Sequence, residues 1–169
     1  MDELVSNIRQ KAHYYDRFSG CSQSVLLALQ EGLGIGDLES FKAATVLSGG
    51  VARRGETCGA LIGGLMALGL VGGRENIEDT DQYVAAMGIA NEICELFQES
   101  LEREFKFKSP LTSTLCREIQ ERIYGRSFDI RDPVEREAFY DAGGHSDEGC
   151  YKVCGIAAEV TATKLIPCL

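Results

Sequence analysis

Basic residues are scarce in this chain. Seventeen Lys and Arg stand against 26 Asp and Glu, which leaves a net charge of −9 and a pI near 4.8. That deficit argues against nucleic acid and against an anionic membrane surface, since both are bound by basic faces. It fits a soluble cytoplasmic protein. No apolar run approaches the roughly 18–20 residues of a membrane span, so no membrane insertion is expected. The start, Met1-Asp-Glu-Leu-Val, has no basic stretch followed by an apolar one, and no signal peptide is expected. Clean apolar/polar alternation is also missing, which removes the signal for β-strands. There is no tryptophan, and the only histidines are His13 and His145. No Ser-His-Asp relay and no paired-carboxylate arrangement is legible. No C-x-x-C pair occurs, which excludes a zinc ribbon and a thioredoxin-type pair, and without C-x-x-C-H there is no c-type haem attachment.

What is present is glycine and cysteine. The chain is organised around Ser48-Gly-Gly-Val-Ala-Arg-Arg-Gly-Glu-Thr-Cys-Gly-Ala-Leu-Ile-Gly-Gly-Leu-Met-Ala-Leu-Gly-Leu70. It reads as a glycine-rich loop leading into an apolar helix that opens at Cys58, with Glu56 or Thr57 as N-cap. Neither nucleotide-binding glycine pattern is matched and no strand precedes it, so phosphate binding is rejected. Cys58 at the positive end of that helix, with Arg53 and Arg54 upstream, is expected to favour the thiolate. Arg53 and Arg54 read equally as a solvated pair, or as charges that offset a cluster or bind an anionic partner. Gly59, Gly63 and Ala67, with Ala60 and Gly64, recur at four-residue spacing and invite close approach of another backbone.

At this length one domain, 1–169, is expected. The spacing predicts helices over 2–17, 21–33, 38–47, 58–72, 79–105, 111–124 and 149–165, with a short helical turn at 133–139. The expected fold is an all-α bundle of five to six helices. The longest helix carries Tyr83, Met87, Ala90, Cys94, Phe97 and Leu101 as its core-facing stripe. Ser109-Pro110 is read as a helix start.

Seven cysteines are many for a chain expected in a reducing compartment, and point to metal or redox chemistry. Cys21, Cys58 and Cys150 open predicted helices and Cys116 lies in the first or second turn of its own, a shared placement near helix starts, where thiol pKa falls. Cys94 reads as packing, Cys168 as incidental, and Cys154 as either core or an auxiliary thiol one helical turn from Cys150. His13 reads as a surface or boundary residue. His145 reads as a solvated loop residue, or as a group tuning a thiolate or ligating a metal.

Cys21-Ser-Gln-Ser-Val-Leu, Gly55-Glu-Thr-Cys58-Gly59-Ala60-Leu-Ile-Gly63, Cys116-Arg-Glu-Ile and Cys150-x-x-Val-x-x-x-Ala157-Ala158 together resemble the C_GCAxxG_C_C family. Those are small prokaryotic proteins described as redox-active. The resemblance covers about residues 15 to 165 and implies four characteristic cysteines at Cys21, Cys58, Cys116 and Cys150, with Cys154 as alternative fourth. Related domains are similar to the iron–sulfur part of split-Soret-type cytochromes, whose haem motif is missing here. Four thiolates can ligate a [2Fe–2S] or [4Fe–4S] cluster, or tetrahedral zinc. Three functions are therefore open. The first is electron transfer through an iron–sulfur cluster, most simply [2Fe–2S], held by Cys21, Cys58, Cys116 and Cys150. The second, without a cofactor, is a thiol–disulfide oxidoreductase or redox sensor with Cys58 as nucleophile. The third is a zinc-stabilised helical interaction module. A basic protein redox partner suits the acidic surface, and close-packing glycines on an apolar helix make a homodimer an expectation.

Overall fold

The structure, a computed structural model, describes residues 2–169. Among the described residues it is all-helical, with eight α-helices rather than five to six. The excess lies in two short elements, α3 and α7, which the spacing anticipates at 38–47 and 133–139 but a count of five to six leaves out. No strand occurs among the described residues; one isolated antiparallel bridge joins Thr57 and Leu115.

Helix α1 (Asp2–Tyr15) buries Ile8 and Ala12, while Leu4 is exposed. After it the chain tightens into a 3-10 turn at Asp16–Phe18. Helix α2 (Cys21–Leu33) turns Val25, Leu26, Ala28 and Leu29 into the core and stops at Gly34 in the left-handed region. Helix α3 (Leu38–Ala43) is closed by a reciprocal Asp37–Ser40 capping box. It gives way to a 3-10 turn at Ala44–Leu47, so the predicted helix over 38–47 is split.

Helix α4 (Gly59–Gly72) holds no charged residue and is packed on two sides. Its small residues are the reason. A β-carbon on Gly63 would lie 2.3 Å from the Ser22 carbonyl oxygen of α2. On the other side, one on Gly64 would lie 2.3 Å from the Thr161 hydroxyl. Helix α5 (Thr80–Phe105) is N-capped by the Asp79 carboxylate, which accepts from the Gln82 N–H at 3.0 Å. Only its C-terminal half is core. Ile93, Phe97 and Leu101 are fully buried, but Tyr83 and Met87 stand 46% and 44% exposed. The helix outruns its neighbours, so its apolar periodicity continues past the surface it can cover.

Helix α6 (Cys116–Tyr124) starts five residues later than the 111 expected. The segment before it is pulled out of helical shape by bonds to other elements. The Cys58 N–H donates to the Thr114 carbonyl and the Cys116 N–H to the Glu56 carbonyl. The Glu118 carboxylate accepts from the N–H and hydroxyl of Thr112 and from the Ser113 hydroxyl. Pro110 therefore sits in the loop. Helix α7 (Pro133–Asp141) is a full helix, with Asp132 as N-cap and Pro133 in its first turn. Helix α8 (Cys150–Leu165) is the hub. It packs against α1, α2, α4 and α5, and ten of its 16 residues are buried. Among the described residues no helix is long and apolar enough to cross a membrane.

Candidate functional site

The N-termini of α2, α4, α6 and α8 meet at one cavity of about 450 Å³. Cys21, Cys58, Cys116 and Cys150 all line it, and so does Cys154. Cys21, Cys116 and Cys150 are each the first residue of their helix. Cys58 is not; it is the N-cap of α4, with extended backbone. Its expected caps fail because Thr57 and Glu56 are held by the bridge to Leu115 and the bond to the Cys116 N–H. The N-cap position still aims backbone donors at the sulfur, and the N–H groups of Ala60 and Leu61 favour its anion.

The sulfurs crowd together. A β-carbon on Gly59 would stand 2.6 Å from Cys21 Sγ, so glycine after Cys58 is what lets the Cys21 sulfur reach the first turn of α4. The Cys154 thiol points towards the Cys21 carbonyl at 4.0 Å. Polar side chains hold the remaining sulfurs. Gln120 lies one turn beyond Cys116, donates to its Sγ at 3.7 Å, and accepts the Phe128 N–H at 2.9 Å. The Tyr124 hydroxyl lies 3.6 Å from Cys150 Sγ and donates to the Gly144 carbonyl at 3.3 Å. The Ser48 hydroxyl and Gly49 N–H serve Cys21.

Cys58 and Cys154 are buried, and Cys21, Cys116 and Cys150 are half-buried. The surface that these three keep lines the cavity rather than the exterior, so desolvation dominates all five. Burial pushes Cys21 up to about 12. Cys116, Cys150 and Cys154 are raised well above the ordinary thiol range, first by burial and then by neighbouring charge. Cys58 is raised too, chiefly by burial. The expected low-pKa thiolate at Cys58 is thus overturned: the helix-end donors act, but loss of water outweighs them.

Asp16 is the residue that sequence reasoning missed. It ends the amphipathic pattern of α1, and nothing in the sequence separates it from a surface acid. Yet it is 1% exposed and lines the cavity beside the thiols. Its Oδ2 has no hydrogen-bond partner. Burial pushes its carboxyl up to about 7, with Cys154 pulling the other way. Gln120 and Tyr124 were legible in principle, since they fall four and eight residues after Cys116 on one helical face.

The other candidates lie elsewhere. Cys94 is half-buried against the core and Cys168 is exposed in the last turn. His13 packs edge-on to Tyr151 and faces Asp147. His145 does reach the cavity, with Nδ1 3.3 Å from the Tyr151 hydroxyl. Burial lowers its pKa.

The donor set suits a sulfur-bound group. Five thiols and an unpartnered carboxyl oxygen face one space, with backbone N–H groups aimed at two of the sulfurs. Among the described residues no three His, Cys, Asp or Glu side chains draw close enough to hold a single metal ion.

Residues 19–164 match the model of a family described as "Putative redox-active protein (C_GCAxxG_C_C)". No curated protein and no solved structure matches the chain. The family match spans every helix start that brings a cysteine to the cavity, and the chain belongs to the C_GCAxxG_C_C family of redox-active proteins.

Proposed function

We propose that the protein transfers electrons through an iron–sulfur cluster bound in the thiol cavity, most simply [2Fe–2S], with Cys21, Cys58, Cys116 and Cys150 as ligands. Cys154, one turn along α8, is the alternative fourth. The observation that carries the reading is the convergence of four helix N-termini, each bringing a cysteine, on one enclosed space.

The thiol chemistry supports it. A disulfide-exchange catalyst needs an accessible thiolate. Here burial raises every cavity thiol above its ordinary range and so disfavours the free thiolate. Ligation releases those protons and offsets the desolvation that opposes the free thiolate. A bound cluster supplies one-electron exchange at a potential set by burial and by hydrogen bonds to sulfur. Gly49, Ala60 and Leu61 N–H groups and the Gln120 amide supply such bonds. The surplus of acids at the surface suits a basic protein partner.

Protein purified without oxygen is analysed for iron and acid-labile sulfide, with a visible spectrum. Iron and sulfide in matching amounts, lost in Cys58→Ser, are expected. Metal-free protein whose titratable thiols fall in pairs on mild oxidation would overturn the reading in favour of a dithiol couple.

A further inference from the structure

The cavity has two chemically different ends. Thiols and Asp16 line the inside. Arg53, Arg136, His145 and Tyr140 line the outer part, where Arg53 and Tyr140 are exposed and Arg136 is half-buried. Most arginines of this acidic chain are paired: Arg9, Arg17, Arg117, Arg122, Arg126 and Arg131 each meet a carboxylate. Among the described residues Arg53 and Arg136 meet none, and neither guanidinium has a hydrogen-bond acceptor. Asp16 is the only acid on the cavity wall, at its other end.

The backbone that carries Arg53 is unusual. Gly49, Gly50, Val51, Ala52 and Arg53 all have positive φ, between 51° and 69°. That is one turn of left-handed helix, three residues of which carry side chains that disfavour it. The turn is locked by bonds from the Arg53 N–H to the Ser48 carbonyl, from Gly55 to Gly49 and from Glu56 to Gly50, at 3.0–3.1 Å. Such strain persists where the surroundings over-determine it, and it clusters at ligand sites. Here it puts the Gly49 N–H on Cys21 and the Arg53 side chain at the cavity mouth.

We propose that the mouth of the thiol cavity is a binding site for a small anion, a carboxylate or an oxyanion, gripped by Arg53 and Arg136 with its other end directed at the cysteines. The volume, about 450 Å³, is that of a small-molecule pocket. Two guanidiniums without acid partners are the recognition element, since their planar donors match carboxylate and oxyanion geometry. The anion takes the mouth and leaves the inner space to whatever the cysteines hold.

The test is calorimetric titration of the protein as purified, at low ionic strength, with inorganic phosphate, sulfate and malonate, and with malonamide as the uncharged control. Wild type is expected to bind at least one of the three anions saturably and not malonamide. Preference for phosphate and sulfate identifies an oxyanion site, and preference for malonate a carboxylate site. Arg53→Gln and Arg136→Gln each weaken binding by about tenfold or more, the effect of losing a charge-assisted hydrogen bond. Arg54→Gln leaves it unchanged, because Arg54 does not line the cavity. Circular dichroism confirms that the variants are folded. No saturable binding of any anion, equal binding by folded Arg53→Gln and Arg136→Gln, or equal weakening by Arg54→Gln would overturn the proposal.

Discussion

Asp16 sets the behaviour of the cofactor-free protein at the scale of single residues. Its carboxyl moves from an ordinary 3.8 up to about 7 because folding removes its water and leaves Oδ2 unpaired. Between those two values the folded chain holds a proton that the unfolded chain has released. Stability therefore falls as pH rises from about 4 to about 7, and stays reduced above that. At about 1.4 kcal/mol per pKa unit the loss is on the order of a few kcal/mol. Urea denaturation of cofactor-free protein from pH 4 to 8 should show this slope, and Asp16→Asn should flatten it. An unchanged slope in the variant would remove Asp16 as its cause. Gln120 makes a second test. Gln120→Leu leaves the buried Phe128 N–H without its acceptor, so it should lower stability by about 1–3 kcal/mol in the same assay.

Elements are positioned by close approach rather than by large side chains. Where α4 crosses α2, Gly63 faces backbone, not a side chain that could rotate away. Gly63→Ala must push α2 outward and carry Cys21 with it. A stability loss of about 2 kcal/mol or more is expected, as for overpacking in a rigid core, together with weaker retention of iron. Intact iron content at normal stability would show that α2 and α4 can separate freely. The left-handed turn gives the opposite sign. Val51 has φ +58° and is 37% exposed, so its side chain contributes little packing to offset its backbone. Val51→Gly relieves about 1–2 kcal/mol of strain against roughly 0.5–1 kcal/mol of added chain entropy. A small net gain in the urea midpoint is expected, where glycine ordinarily destabilises.

Across the whole molecule, legibility in the sequence followed locality. Helix starts at Cys21 and Cys150 are local events, and short-range chemistry announces them, whereas the start at Cys116 is set by bonds to other elements. The small residues of α4 announced its tight packing but not which helices it meets. The pKa of Cys58 was misread because helix-end donors are local, whereas its burial is built by elements distant in the sequence, chiefly α2 and α8 packed on α4. Asp16 was invisible for the same reason. The left-handed turn at 49–53 was hidden because Val51, Ala52 and Arg53 give no local cue for positive φ.

That same division between local and assembled structure predicts how the protein would respond to loss of the proposed cluster. Helices α1, α2, α4, α5 and α8 pack along one another, whereas α6 and α7 touch other helices only sparsely. The α6–α7 segment is held by the Thr57–Leu115 bridge, by the Gln120 bonds, and by the edge-on cluster of Tyr124, Phe128 and Phe139. Its one covalent handle on the cavity is Cys116. A group ligated there ties α6 to the helix starts of the core, and a ligand that binds only the folded state stabilises it by mass action. Chelation of iron should therefore do more than lower the melting temperature. Amide hydrogen exchange should speed most at 112–141, while α8 and the buried half of α5 keep their protection, because sparse apolar contact marks the segment that opens first. Cys116→Ser should reproduce that pattern before any chelator is added. Uniform loss of protection across all eight helices would instead mean that the cavity holds the entire bundle together, with no separable α6–α7 unit.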